Sequence, residues 1–265
     1  MTAQDAFVAH LTWPEFAERI AREPVVIPVG SVEQHGPHLP LGVDTFIPFH
    51  LAIRLAQRLP LLVAPPLWYA GPSDPASGGG QRFPGTLAIR GTTLIDLTTD
   101  VITEFFRQGA RHIVLLNGHF ENAAFLAEAA RRVLPPEDAS GRRIVLVNWW
   151  EHVPDDVLQR LFPEGFPGWE AEHASLTETS LMQALVPELV HAERLPPEMG
   201  PRRQAPRHKV FPEPSGLVPA SGILYSAAGA SAERGQALVE VLLQALEDIL
   251  RAECSVPPHE TVDLS

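Results

Sequence analysis

Hydrophobic and polar positions along the chain alternate between two periods. "PVVIPVG" (24–30) is a continuous apolar run of strand length, as a fully buried strand requires. "TFIPFHLAIRLAQRL" (45–59) has helical period, with Pro48 expected in the first turn, where a missing N–H costs nothing. "LLVAPPLW" (61–68) predicts a second strand limited by two prolines. "TLIDLTTDVITEFFRQG" (93–109) predicts an amphipathic helix stopped by Gly109. "HIVLLNG" (112–118) and "RIVLVNWW" (143–150) predict a third and a fourth strand, with a helix over 121–134 between them. Later helices are expected over 176–189 and 232–253. No internal repeat is present. Strands alternating with helices imply βαβ units, hence an α/β fold: a three-layer αβα arrangement around a mainly parallel central sheet. With 265 residues, one domain spanning 1–265 is the expectation. Residues 196–222 are proline-rich and read as one long loop.

Composition narrows the partners. Hydrophobic residues make up 45% of the chain, enough for a sizeable core. Twenty Lys and Arg against 32 Asp and Glu leave a net charge of −12, which argues against a nucleic-acid partner and against an anionic membrane surface. The single cysteine, Cys254, has no internal partner and lies in a charged helical stretch; an inert thiol in a reducing compartment is expected. The first residues lack a basic segment followed by a long apolar one, and no apolar run approaches the ~20 residues of a membrane span. These features predict a cytoplasmic protein.

The chemistry gathers at two places. "GSVEQHGPHLPLGVD" (30–44) follows the first strand and carries Glu33, His35 and Asp44. "NGHFEN" (117–122) follows the third and carries His119 and Glu121. In open α/β sheets, ligands bind beyond the carboxyl ends of the strands. In extended backbone, residues i and i+2 point the same way, so Glu33 with His35, and His119 with Glu121, can each reach one point. Each residue also has a plain structural explanation. Asp44 could cap the helix it precedes, Glu121 could complement a helix dipole, and the two histidines could be turn residues. Those explanations predict no convergence, whereas all five residues fall at one end of neighbouring strands. Two imidazoles and three carboxylates suit Zn²⁺ or Mn²⁺. Five ligands exceed one catalytic zinc and fit two divalent ions if a carboxylate such as Asp44 bridges them.

Two further stretches stand beside this cluster. "SGGGQRFPGT" (77–86) lacks the Lys-Ser/Thr ending of a phosphate loop; its glycines are expected to let backbone N–H groups approach a small ligand. "FPEGFPGWEAEHASLTETS" (162–180) carries Trp169, Glu172, His173 and Glu178. His173 could act as a general acid or base, or be a surface histidine in a polar loop. Trp149 and Trp169 could wall a flat apolar pocket, or belong to the core.

At these residues the sequence resembles the creatininase (creatinine amidohydrolase) family, from about Val25 to about Leu250. "GSVEQHGPHLPLGVD" and "NGHFEN" resemble motifs of the whole family; "SGGGQRFPGT" and "FPEGFPGWEAEH…ETSLMQAL" resemble creatininase proper. The resemblance implies that Glu33 and His119 bind one ion, His35 and Glu121 the other, and that Asp44 bridges. It implies a catalytic His173, assisted by Glu121, and a substrate site built from Ser77, Trp149, Trp169, Glu178 and the aromatic at 120, with Trp150 the neighbour of Trp149. Two departures stand out. Phe120 replaces the family's usual tyrosine, keeping an aromatic wall without a hydroxyl. Residues 70–76, "AGPSDPA", differ from a lysine- and glutamine-bearing stretch.

The implied activity is opening of a small cyclic amide, creatinine to creatine, by an enzyme holding two divalent metal ions and assembled as a homohexamer. The alternative is a family hydrolase of another small amide, formamide or ring ketone, which Phe120 favours. A non-catalytic, metal-stabilised binding protein is the third reading; structural metal sites usually lack an unliganded histidine beside them, so His173 opposes it.

Overall fold

The computed structural model describes residues 3–196, 208–212 and 216–256. Helices α1 (Ala3–Ala6) and α2 (Trp13–Arg19) lead into strand β1 (Val25–Val29). Then follow α3 (Val43–Leu55), β2 (Leu62–Val63), α4 (Gly91–Arg107), β3 (His112–Asn117), α5 (Asn122–Val133) and β4 (Arg143–Asn148). Helices α6 (Asp155–Leu161), α7 (Leu176–Leu185) and α8 (Ala232–Cys254) complete the order. The four strands form one parallel sheet in the order β2-β1-β3-β4.

Period-2 alternation builds the layers. Val26, Val63, Val114, Leu116 and Val147 point to one face and pack with α3, α7 and α8. Val25, Ile27, Val29, Leu62, Ile113 and Leu115 point to the other and pack with α4 and α5. The expected three-layer α/β fold is therefore present, and its strands are buried on both faces as parallel strands must be.

The strand order also fixes where a site can form. From β1 the chain moves outward to β2, then returns past β1 to β3 and on to β4. The direction reverses between β1 and β3, which opens a crevice beyond their carboxyl ends. Prolines shorten β2: Pro65 and Pro66 end its ladder after two residues, although Leu67 still accepts from Gly30 N–H and donates to Pro28 (both 2.9 Å). Pro28 itself sits in the central strand β1. By the alternation of its neighbours, its missing N–H faces the β2 side, where the ladder has already stopped.

Some element boundaries differ from the expectation. The second and fourth strands end earlier, at Val63 and Asn148, and Trp149–His152 form a 3₁₀ turn. Helix α7 ends at Leu185, with a separate 3₁₀ turn over Pro187–Leu189. Helix α3 begins two residues early, so Pro48 is inside the helix rather than in its first turn. The short helices α2 and α6 were not among the expected elements, although their starts carry local signals. Glu15 takes the Thr12 N–H at 2.7 Å, and Asp155 and Asp156 follow Pro154. Of the long loop over 196–222, residues 197–207 and 213–215 lie outside the described residues.

Among the described residues no helix is long and apolar enough to cross a membrane. Cys254 closes α8 inside the core, 3% exposed, and burial pushes its thiol up to about 11. The native protein at pH 8 should therefore resist alkylation by iodoacetamide about a hundredfold relative to a model thiol. The denatured chain should react at the ordinary rate; mass spectrometry of a timed quench reads both.

Candidate active site

Two loops and a helix turn meet in the β1/β3 crevice. The β1 loop carries Glu33 and His35, the β3 loop carries His119 and Glu121, and the first turn of α3 supplies Asp44. Asp44 is not the helix cap: Gly42 holds that position, and the Asp44 carboxylate turns inward. Its Oδ1 lies 3.1 Å from His35 Nε2 and its Oδ2 lies 3.1 Å from His119 Nδ1. Glu33 Oε1 is 3.4 Å from His119 Nδ1, and Glu121 Oε2 is 3.2 Å from His119 Nε2. Neither histidine is a surface turn residue: His35 is 0% and His119 2% exposed.

Local sequence explains how the loops come so close. Pro48 cannot donate to the carbonyl of Asp44, so that carbonyl is free of its helical partner. Gly118 packs against it; a Cβ there would stand 2.0 Å from the Asp44 oxygen. Side-chain amides hold the turns. Asn117 donates to the His119 carbonyl and to Asn148 Oδ1 (both 2.9 Å) and accepts the His119 N–H at 3.1 Å. Asn122 donates to the Gly30 carbonyl at 3.0 Å. Glu121 stands at the N-terminus of α5, but its Oε1 is held by Ser77 Oγ at 2.5 Å and Asp74 N–H at 3.0 Å.

The segment before α7 brings in the remaining groups. His173 is 4% exposed, so it is not a surface histidine. Its Nε2 lies 2.8 Å from the Gln34 carbonyl and 2.9 Å from Gln34 Nε2. The Gln34 amide already donates to Gly78 and Gly222 carbonyls at 3.2 and 3.0 Å. Its two hydrogens are thereby used, so Nε2–H of His173 donates to the Gln34 carbonyl. That assignment leaves Nδ1 facing the cavity, 3.6 Å from Glu33 Oε1. Ala174 takes a left-handed φ of 54°, an uncommon conformation for a residue with a Cβ. Its N–H donates to Glu178 Oε2 at 2.6 Å, and Glu178 Oε1 comes within 3.7 Å of His35 Nε2.

Buried charge shapes the electrostatics. Burial opposes charge on His35, but the Asp44 and Glu178 carboxylates outweigh it and raise its pKa well above the usual value. His119 is raised in the same way against its own burial, by Glu33, Glu121 and Asp44. Burial would raise Asp44; the two imidazoles hold it well below the usual carboxylate range instead. Glu172 is pushed up to about 8 by burial and by Glu178. His38, hydrogen-bonded through Nε2 to Thr179 at 2.8 Å, is pushed down to about 4 by burial and then by His35.

Unmet valences test the site for a metal. Glu33 Oε2, His35 Nε2, Asp44 Oδ2, His119 Nε2 and Glu121 Oε2 are all buried without a hydrogen-bond partner. Several lie near an oppositely charged atom, yet the angles make no hydrogen bond, and that arrangement suits groups aimed at a common ion. Such orphans are costly in a folded interior unless something binds them. Three sets of donor atoms each lie within 4.8 Å of one another: Glu33, Asp44 and His119; His35, Asp44 and Glu178; Glu33, His35 and His173. The donor set fits a divalent metal. Asp44 belongs to two groups, while Glu178 rather than Glu121 completes the group at His35. Glu121 reaches the cluster through His119.

Aromatic rings close the cavity. Trp149 meets Trp169 edge-on at 6.0 Å, and Phe120 stacks on Trp150 at 5.8 Å. Both tryptophans of the pair 149–150 line the cavity, as do Ser77 and Glu172. In the glycine-rich loop, a Cβ at Gly78 would meet Ser73 Oγ at 2.4 Å and Glu33 Oε2 at 2.9 Å. Its glycines let the loop pass against Glu33 and Gln34. Sequence reading did not single out Gln34, His38, Asp74, Asn117 or Asn122. The only available signal was that four of them, all but Asp74, sit inside the two quoted motifs.

Fold and site together define a hydrolase of α/β architecture with a carboxylate–imidazole centre of the kind that holds metal. A family model described as creatinine amidohydrolase matches residues 9–250. The creatinine amidohydrolase of Pseudomonas putida is 41% identical over 257 residues, covering 95% of this chain and 98% of that one. A mutant creatininase complexed with creatine superposes with a TM-score of 0.88 at 40% identity, over 93% of this chain and 98% of that one. The 3-dehydro-scyllo-inosose hydrolase of Thermotoga maritima is 33% identical over 186 residues, 69% of this chain and 57% of that one. The chain belongs to the creatininase (creatinine amidohydrolase) family.

Two substitutions test the geometry by elemental analysis of protein reloaded with Mn²⁺ and Zn²⁺. Asp44→Asn should lose most bound metal, because Asp44 serves two donor groups. Gly118→Ala should lower thermal stability by about 1–3 kcal/mol through overpacking against the Asp44 carbonyl and reduce metal content with it.

Proposed function

We propose that the chain is a binuclear-metal cyclic amidohydrolase acting on creatinine to form creatine. The observation that carries this reading is the set of five orphaned, buried donor atoms beside the buried His173 under an aromatic wall. Two divalent ions, Zn²⁺ and/or Mn²⁺, would be held by Glu33, His35, Asp44, His119 and Glu121, with Asp44 shared. Glu178 is an additional candidate at the His35 position. When bound, such ions supply Lewis acidity and lower the pKa of water.

The chain's own residues do the rest. Trp149, Trp169 and Phe120 clamp the planar ring, and Ser77 and Glu178 line its polar edge. His173, its Nε2–H held by Gln34, moves a proton at Nδ1 and delivers it to the leaving ring nitrogen. Glu121 assists proton transfer; burial raises its pKa, and the opposing pull of His119 only partly offsets that. The whole chain acts as one catalytic domain. A cytoplasmic homohexamer is part of the same reading.

The cavity as it stands has a volume of about 30 Å³, room for about two waters and too little for a five-membered ring with its substituents. Substrate entry therefore requires the aromatic wall to yield, as gated sites do. Adding creatinine to metal-loaded protein should change tryptophan fluorescence saturably.

A second reading keeps the metals and changes the substrate to another small amide, formamide or ring ketone. Phe120 favours it, and the Thermotoga relative is named for a different substrate. The deciding experiment is creatine formation from creatinine by protein reloaded with Mn²⁺ and Zn²⁺, with a chelated control. Metal-dependent creatine is expected; its absence from protein with both ions bound rejects creatinine. His173→Ala should retain both ions and lose about 10²–10⁴-fold in kcat. A fully active variant would remove His173 from the mechanism.

A further inference from the structure

Beyond the Phe120–Trp150 stack lies a second, outer chamber of about 530 Å³. It shares Phe120, Glu121 and Trp150 with the inner cavity and is bounded on its far side by Lys209 and Phe211. Lys209 is the chain's only lysine. It belongs to the proline-rich stretch, far in sequence from every group of the site, yet its Nζ lies 2.7 Å from Asp74 Oδ2.

Asp74 is more than an ion-pair partner. Its N–H donates to Glu121 Oε1 at 3.0 Å. Its carbonyl accepts the N–H groups of Ser77, Gly78 and Gly79 at 3.1, 2.7 and 3.2 Å. Its Oδ1 accepts the Ala76 N–H at 2.9 Å. Every hydrogen-bonding group of this residue is thus committed to the glycine-rich loop or to Glu121, apart from Oδ2, which takes the lysine. Ser77, whose position the same carbonyl sets, donates to the same Glu121 oxygen.

We propose that Lys209 is a positioning residue for Glu121, acting through Asp74. The ammonium holds the Asp74 side chain, Asp74 holds the loop, and the N–H of Asp74 with the Ser77 hydroxyl holds Glu121 Oε1. Oε2 is thereby left for the site, where it stands buried and without a hydrogen-bond partner. Partners behind a ligating carboxylate fix its orientation and affinity. The inference rests on the reading of Glu121 as a metal ligand. Lys209 is 63% and Asp74 17% exposed at the side chain, so the pair adds little to global stability. Its effect is local.

The test is Mn²⁺ and Zn²⁺ titration against a chromophoric chelator, with the whole chain carrying Lys209→Met, Lys209→Arg or Asp74→Asn. Met and Asn variants should each raise the Kd of one ion about three- to fivefold, the range an exposed ion pair can carry. The midpoint of thermal unfolding of metal-free protein should not move. Lys209→Arg should restore wild-type affinity. The double variant Asp74→Asn/Lys209→Met should be no worse than either single one, because both break one link. An unchanged Kd in both single variants overturns the proposal, and so does a Kd loss that follows a lowered unfolding midpoint. If wild-type protein binds two ions and forms no creatine while the Kd ratios persist, creatinine is rejected as substrate and the positioning role stands.

Discussion

The carboxylate of Asp44, placed 3.1 Å from an imidazole of the β1 loop and 3.1 Å from one of the β3 loop, is the constraint on which the site depends. It belongs to neither loop. It comes from the first turn of α3, and it reaches both only because Gly118 lets the helix backbone sit against the end of β3. Three carboxylates and two imidazoles buried together oppose folding unless a counter-charge is present. The carboxylates raise the pKa of His35 and His119 against their burial. A cation bound there would compete with protons for the same nitrogens, which would link folding, protonation and metal affinity at this one place.

Around that cluster lies a shell of amides whose hydrogen bonds go to backbone. Asn117 and Asn122 hold the β3 turn and tie it to the end of β1; Gln34 reaches from the β1 loop to Gly78, Gly222 and His173. This is how a region made mostly of loops becomes rigid enough for chemistry: each turn is pinned by a side chain from another. The same shell sets the tautomer of His173, since the Gln34 carbonyl takes the Nε2–H and leaves Nδ1 for the cavity. The aromatic rings narrow the space beside this shell to a cavity of about 30 Å³.

Much of this was legible in the sequence, for reasons that can be named. Strands of 24–30 and 112–118 were visible because a parallel sheet buried on both faces demands continuous apolar runs, and the long helices because a core-facing stripe has helical period. The short helices α2 and α6 were missed because they bury too little to show a period. Pro48 was misplaced because propensity treats a proline as a helix starter; here the unpaired carbonyl it creates is covered by Gly118. The five donor residues were legible as types, and the i, i+2 spacing of Glu33 with His35 and of His119 with Glu121 was enough to aim them.

What the sequence by itself determined was the set of chemical groups and the elements that carry them, because residue type and local period act over a few positions. What only the tertiary structure decided was who meets whom. Glu178, from α7, stands at His35, where the resemblance placed Glu121; Asp74 and Lys209, 135 positions apart in the numbering of the chain, meet behind Glu121. Gln34 decides which nitrogen of His173, on another loop, faces the cavity. Such contacts depend on how three layers pack and where the strand order reverses, and no local pattern encodes a distance between segments that only packing brings together.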